Sequence, residues 1–162
     1  MRELSSTQQA QTIKEALFER CEAYVRELLA RAERGIKEAQ EEAGREQKSS
    51  AGDKFETHRA MMHLQMETFI KRREAAQELL VALRGLSRLP SAEVRPGALI
   101  ETDQGWYYLS ISAPAITLEG RRYVCLSPEA PLARALLGAR RGDWVEWGAA
   151  SEERELEVLR VL

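Results

Sequence analysis

The chain has 162 residues, 44% of them hydrophobic and 31% charged, with a formal net charge of −2. That length suits one ordinary domain or two small units, and the charge content calls for at least one long solvated element. Residues 1–88 carry 16 basic and 15 acidic side chains and residues 89–162 carry 8 and 11, so neither part has the cationic excess that drives nucleic-acid binding, and no direct DNA binding is expected.

The N-terminal stretch MRELSSTQQAQ lacks the apolar core of a signal peptide. No apolar run approaches the ~20 residues of a membrane span, so no membrane association and a cytoplasmic setting are expected. Cys21 and Cys125 are the two cysteines. They lie in different halves, form neither a zinc spacing nor a disulfide framework, and read as reduced, mostly buried thiols.

From Ser5 to Glu46 no proline interrupts the chain. Apolar or small residues recur at Ile13, Leu17, Cys21, Tyr24, Leu28, Ala32, Ile36, Ala39 and Ala43, and these steps of three and four mark one stripe of a long helix. A second long helix is predicted beyond the polar stretch KSSAGDKFETHRAMM, Lys48 to Met62. Its seam is Met62, Met66, Phe69, Ala76, Leu80 and Leu83, interrupted by Arg73, whose head can snorkel to water. Neither stripe is stable as an isolated helix. Two such helices joined by a few polar residues predict an antiparallel coiled-coil hairpin over residues 1–89, with its tip near 46–57.

At Leu89-Pro90-Ser91 the pattern changes, and Pro90, Pro96 and Gly97 end the helical period. Short β-like runs follow at 98–102, 106–111, 115–118, 122–126, 143–147 and 156–158. Hairpin turns fit at Asp103-Gln104-Gly105 and Glu119-Gly120-Arg121. A short helix fits Pro131 to Leu137, closed by Gly138. Residues 90–162 therefore predict a small α+β domain, an antiparallel sheet with one helix packed on it.

The succession Ser127-Pro128-Glu129-Ala130-Pro131-Leu132-Ala133-Arg134-Ala135-Leu136-Leu137-Gly138, followed by Arg141-Gly142-Asp143-Trp144-Val145-Glu146, resembles the C-terminal domain of the bacterial Gre transcript-cleavage factors, GreA and GreB. The resemblance implies an N-terminal antiparallel coiled coil and an FKBP-like C-terminal domain that docks on RNA polymerase. It implies that the coiled coil enters the polymerase secondary channel and brings an acidic pair to the active centre. There the pair helps hold a weakly bound Mg²⁺, while the polymerase itself cuts backtracked RNA; the factor touches the nascent RNA 3′ end only indirectly and has no catalytic residues of its own.

The family's tip pattern, Asp-x-x-Glu-Asn-Ala-Glu-Tyr, is met here by Asp53-Lys54-Phe55-Glu56, which then continues Thr57-His58-Arg59-Ala60. By resemblance, Asp53 and Glu56 are the metal-handling pair, and Pro128, Glu129 and Pro131 dock on the channel rim, with Ala130 in place of the family's usual serine. Lys48, Lys54, His58 and Arg59 are candidate tip contacts.

The residues support plainer readings too. Asp53 with Glu56 three positions on is also a capping-box arrangement, Pro131 suits the first turn of any helix, and Lys71-Arg72-Arg73 suits a solvated helix face. His58 and His63 are five apart, not the i, i+4 spacing of a helical zinc pair. The departure after Glu56 leaves two functions open, a cleavage-stimulating factor and a channel-binding modulator or inhibitor that does not promote cleavage. An FKBP-like fold alone would not confer proline isomerisation.

Overall fold

The computed structural model describes residues 6–46, 52–149 and 151–162. Helix α1 spans Ser6–Glu46 and helix α2 spans Gly52–Arg84. At 1.5 Å per residue these are about 60 and 50 Å long. Both are rich in Ala, Leu, Glu, Gln, Lys and Arg, which lose little side-chain freedom in a helix. Arg45 and Arg84 sit in the last turns, facing the negative ends of the helix dipoles. Exposed pairs such as Glu27–Arg31 at 2.9 Å decorate the outer face and contribute little each.

The chain divides into two compact units: the described residues up to Glu22 with Ala82–Leu162, and Ala23–Val81. The second unit is the two-helix hairpin. Its seam on α1 is Val25, Ala32, Gly35 and Ala39, all buried. On α2 the seam runs through Met62 and Ala76, with Met66, Phe69, Arg73 and Leu80 half-buried beside them. The α2 seam follows the heptad expected from the sequence. On α1, Tyr24, Leu28 and Ile36 flank the seam half-buried, while Val25 and Gly35 occupy it. Gly35 does so for a steric reason: a β-carbon there would lie 2.4–2.6 Å from three ring carbons of Phe69. The ring rests on bare backbone, so the helices approach closely at this point.

The first unit is built on a six-stranded sheet: β1 (Leu99–Thr102), β2 (Gly105–Leu109), β3 (Ile116–Leu118), β4 (Arg121–Leu126), β5 (Trp144–Trp147) and β6 (Arg154–Val161), in spatial order β3-β4-β2-β1-β6-β5. The pairings are antiparallel apart from β2 with β4, which run parallel. The sequence pattern gave no sign of that one pair, because alternation reports which face a side chain takes and not strand direction. Both expected turns form. Glu119 and Gly120, with φ of 49° and 77°, make the left-handed turn that joins β3 to β4.

Each face of the sheet has its own cover. Ile100, Leu109, Val145, Leu156 and Val158 pack with Leu132, Ala133 and Leu136 of helix α3 (Pro131–Leu136). The opposite face carries Leu99, paired across β1–β2 with Tyr108, which is paired in turn with Cys125 of β4. There Cys125 meets Cys21 of α1, Sγ to Sγ, at 3.8 Å. The N-terminal turns of α1 therefore belong to the sheet unit. They are held further by Glu22–Arg84 at 3.0 Å and by Arg88 stacked on Phe18.

Lys14 is 2% exposed and donates to the carbonyl oxygens of Leu162 at 3.3 Å and Leu89 at 3.5 Å. Burial, and then the nearby Arg95 charge, lower its pKa from the ordinary lysine value.

Candidate functional site: the hairpin tip and the loop before α3

The start of α2 carries most of the expected tip residues. The helix includes Gly52, so Asp53 lies within the first turn and not at the cap position before it. A carboxylate in that turn faces the positive end of the helix dipole whether or not it has another role. The Asp53 side chain and all of Lys48 lie outside the described residues. Lys54, Glu56 and Arg59 are exposed, and His58 is half-buried. Positions three apart on a helix share a face, with β-carbons about 5–6 Å apart, so Asp53 and Glu56 are neighbours along one side of α2.

Their donor chemistry fits a hard cation. Mg²⁺ commonly takes one or two protein carboxylates and completes its shell with water and phosphate oxygens. Among the described residues no three His, Cys, Asp or Glu side chains gather into a group able to hold a metal ion.

The second set lies in the sheet unit, on the loop from β4 to α3. Ala130 is extended, with φ −60° and ψ 140°, as the residue before a proline must be. Its N–H donates to the Ser127 carbonyl at 3.0 Å, and its own carbonyl accepts from Arg134 N–H at 2.9 Å, the first bond of the helix. Pro131 opens α3, where its missing N–H costs nothing.

Beneath the loop, Leu132, Ala133 and Leu136 are buried in the core. Gly138, at φ 81°, closes the helix and donates to the Val94 carbonyl at 2.8 Å. The loop is therefore fixed at both ends, with Glu129 and Pro131 exposed and Pro128 half-buried. All three predicted docking residues come together on it.

Residues 118–162 match the family model described as "Transcription elongation factor, GreA/GreB, C-term". This segment is similar to a GreA/GreB C-terminal domain. The Gre match takes in β4, α3, β5 and β6 and so contains the whole Pro128–Pro131 loop.

Comparison with curated proteins finds no match. Among solved structures the chain is similar to "the transcription factor Gfh1", at 20% identity over 89% of this chain and 92% of that one, TM-score 0.33. It is similar to GreA factor homolog 1 (Gfh1) of Thermus thermophilus at 17% identity, over 90% and 94%, TM-score 0.34. For Thermus aquaticus Gfh1 the values are 16%, 85%, 90% and 0.28.

Two features had no sequence signal. Cys21 and Cys125 are 104 positions apart, and only the packing of α1 against β4 brings them together. Trp106 stacks with Arg121 and Arg160, at 5.0 and 5.3 Å from its ring centroid, and meets Tyr123 edge-on. These contacts depend on the parallel β2–β4 pairing and the β1–β6 register.

Proposed function

We propose that this chain is a Gre-type regulator of bacterial RNA polymerase that stimulates cleavage of backtracked nascent RNA. The observation that carries the reading is the match of residues 118–162 to the GreA/GreB C-terminal domain. The two-helix hairpin with an acidic pair near its tip supports it. In this reading the loop bearing Pro128, Glu129 and Pro131 docks on the rim of the polymerase secondary channel, in the cytoplasm. The hairpin enters the channel and brings the start of α2 to the active centre.

Asp53 and Glu56 would hold a Mg²⁺ ion jointly with polymerase carboxylates and RNA phosphate oxygens. An ion held there would supply an acidified bound water and offset charge developing on the phosphate. Lys54 and Arg59, with Lys48 and His58 as further contacts, offer cationic and hydrogen-bonding groups to the RNA backbone or the channel wall. The bond-breaking machinery remains the polymerase's own.

A second reading keeps the docking without the cleavage. It is favoured by Thr57-His58-Arg59-Ala60, which stands where the Gre pattern continues Asn-Ala-Glu. One experiment separates the two: RNA cleavage in a stalled, backtracked complex with wild type, Asp53→Asn and Glu56→Gln. Asparagine and glutamine keep the shape and helix compatibility of the acids while removing their charge. Faster cleavage with wild type and none with either variant supports the metal-handling role. Wild type that binds polymerase and leaves cleavage unchanged rules that role out in favour of channel occupation. Failure to bind at all, with Glu129→Lys and wild type indistinguishable, removes both readings.

A further inference from the structure

We propose that Cys21 and Cys125 form an oxidisable pair, which a small hydroperoxide converts into a disulfide fastening α1 to β4. This inference does not depend on the polymerase reading. Both thiols are free, their sulfurs are 3.8 Å apart, and they are 1% and 7% exposed. A disulfide needs a sulfur separation of about 2.0 Å. The sulfurs must therefore close by roughly 2 Å, from van der Waals contact to bonding distance. Both residues belong to one compact unit, so no separate body has to move.

The surroundings divide the two roles. The two thiols share one hydrogen bond, and the buried Ser110 hydroxyl favours the charged form of both; at Cys21 the bond to Cys125 outweighs burial and holds the pKa below the ordinary thiol value. The Cys125 thiol is pushed up, first by its bond to Cys21 and then by burial. Cys21 is thus the sulfur more readily present as thiolate, and the thiolate is the nucleophile.

The Cys21 thiolate attacks the hydroperoxide, the O–O bond breaks, and the alcohol leaves with a proton, giving Cys21 sulfenic acid. Cys125 then attacks that sulfur. The S–S bond forms as the S–OH bond breaks, and the hydroxide takes the Cys125 proton to leave as water. Two thiols and one hydroperoxide become one disulfide, one alcohol and one water, the sulfurs losing the two electrons that the O–O bond gains. With the two cysteines 1% and 7% exposed, bulky disulfide oxidants are kept from them in the folded protein, so a small hydroperoxide is the oxidant of choice.

The test treats the reduced full-length chain with hydrogen peroxide, blocks remaining thiols under denaturing conditions, and looks for the linked Cys21–Cys125 peptide by mass spectrometry after digestion. Linked peptide is expected, with a higher melting temperature than the reduced protein, both reversed by dithiothreitol. In Cys125→Ser, the sulfenic acid on Cys21 should be trapped by dimedone, with no rise in melting temperature. Three results would overturn the proposal: thiols that stay alkylatable while methionines oxidise, sulfinic acid without cross-link, or a disulfide-bonded form that melts lower than the reduced one. The wild-type peptide map decides the point even if the variant folds poorly.

Discussion

Replacing Gly35 with alanine tests the hairpin seam most directly, because propensity and packing pull in opposite directions. In a solvent-exposed helix the change would stabilise by about 1 kcal/mol. Here the new methyl would fall 2.4, 2.5 and 2.6 Å from three carbons of the Phe69 ring. Ordinary carbon contacts lie at about 3.5–4.0 Å, so the ring has to retreat by roughly 1 Å. It is backed by Arg72, whose guanidinium sits 5.6 Å from its centroid, and displacing it loosens the seam on both helices.

Overpacking of this kind costs about 1–3 kcal/mol, which leaves Gly35→Ala destabilising by about 1 kcal/mol after the propensity gain. In a Phe69→Ala background the obstruction is gone, and the same Gly35→Ala change should stabilise by about 1 kcal/mol. The sign reverses, and the coupling between the two sites is about 1–3 kcal/mol. Urea unfolding followed by helical circular dichroism on the four proteins of the cycle measures it. If Gly35→Ala stabilises both backgrounds equally, the ring does not sit on Gly35 and the seam is wrongly placed.

The remaining predictions concern the sheet unit. Burial lowers the Lys14 pKa, so between that lowered value and the ordinary value of 10.5 the unfolded chain holds a proton that the folded chain has released. Stability therefore rises with pH across that window. Lys14→Met should flatten the rise, as read from urea midpoints taken from neutral pH upward. Leu136 is fully buried beneath the loop, and Leu136→Ala should cost about 2–5 kcal/mol in thermal or urea unfolding. Nothing lies within 4 Å of a β-carbon at Gly138, so Gly138→Ala meets only the strain of a positive φ. It should cost about 1 kcal/mol, and Gly138→Asn less, because asparagine tolerates that conformation better.

What the sequence made legible follows from the range of each signal. The α2 seam from Met62 to Leu83 and the six short strands rest on local periodicity, and local periodicity survives folding. On α1 the apolar stripe passes over Gly35, because a pattern that scores apolar side chains cannot value a glycine whose role is to have none. The parallel β2–β4 pair, the burial of Lys14 and the meeting of Cys21 with Cys125 are tertiary facts with no local trace. The Pro128–Pro131 loop was legible because its residues are consecutive and bracketed by Pro131 and Gly138. The tip pair was legible as a spacing, but i, i+3 carboxylates at a helix start serve the dipole and a metal equally well.

That ambiguity turns on which residues the fold can spare. Lys54, Glu56 and Arg59 at the start of α2, and Glu129 and Pro131 on the loop, are all exposed, and none supplies a side chain to the seam or the core. Their substitution should therefore leave stability within about 0.5 kcal/mol, the ordinary range for exposed sites. Any larger effect on polymerase binding or RNA cleavage would then belong to function. Gly35, Phe69, Leu136 and Gly138 are the reverse case, since each holds a helix or a turn in place. If exposed tip changes cost several kcal/mol of stability, those side chains are part of the packing, and the separation of scaffold from site fails. If they cost nothing while cleavage or binding falls, the tip acts through contacts with another molecule.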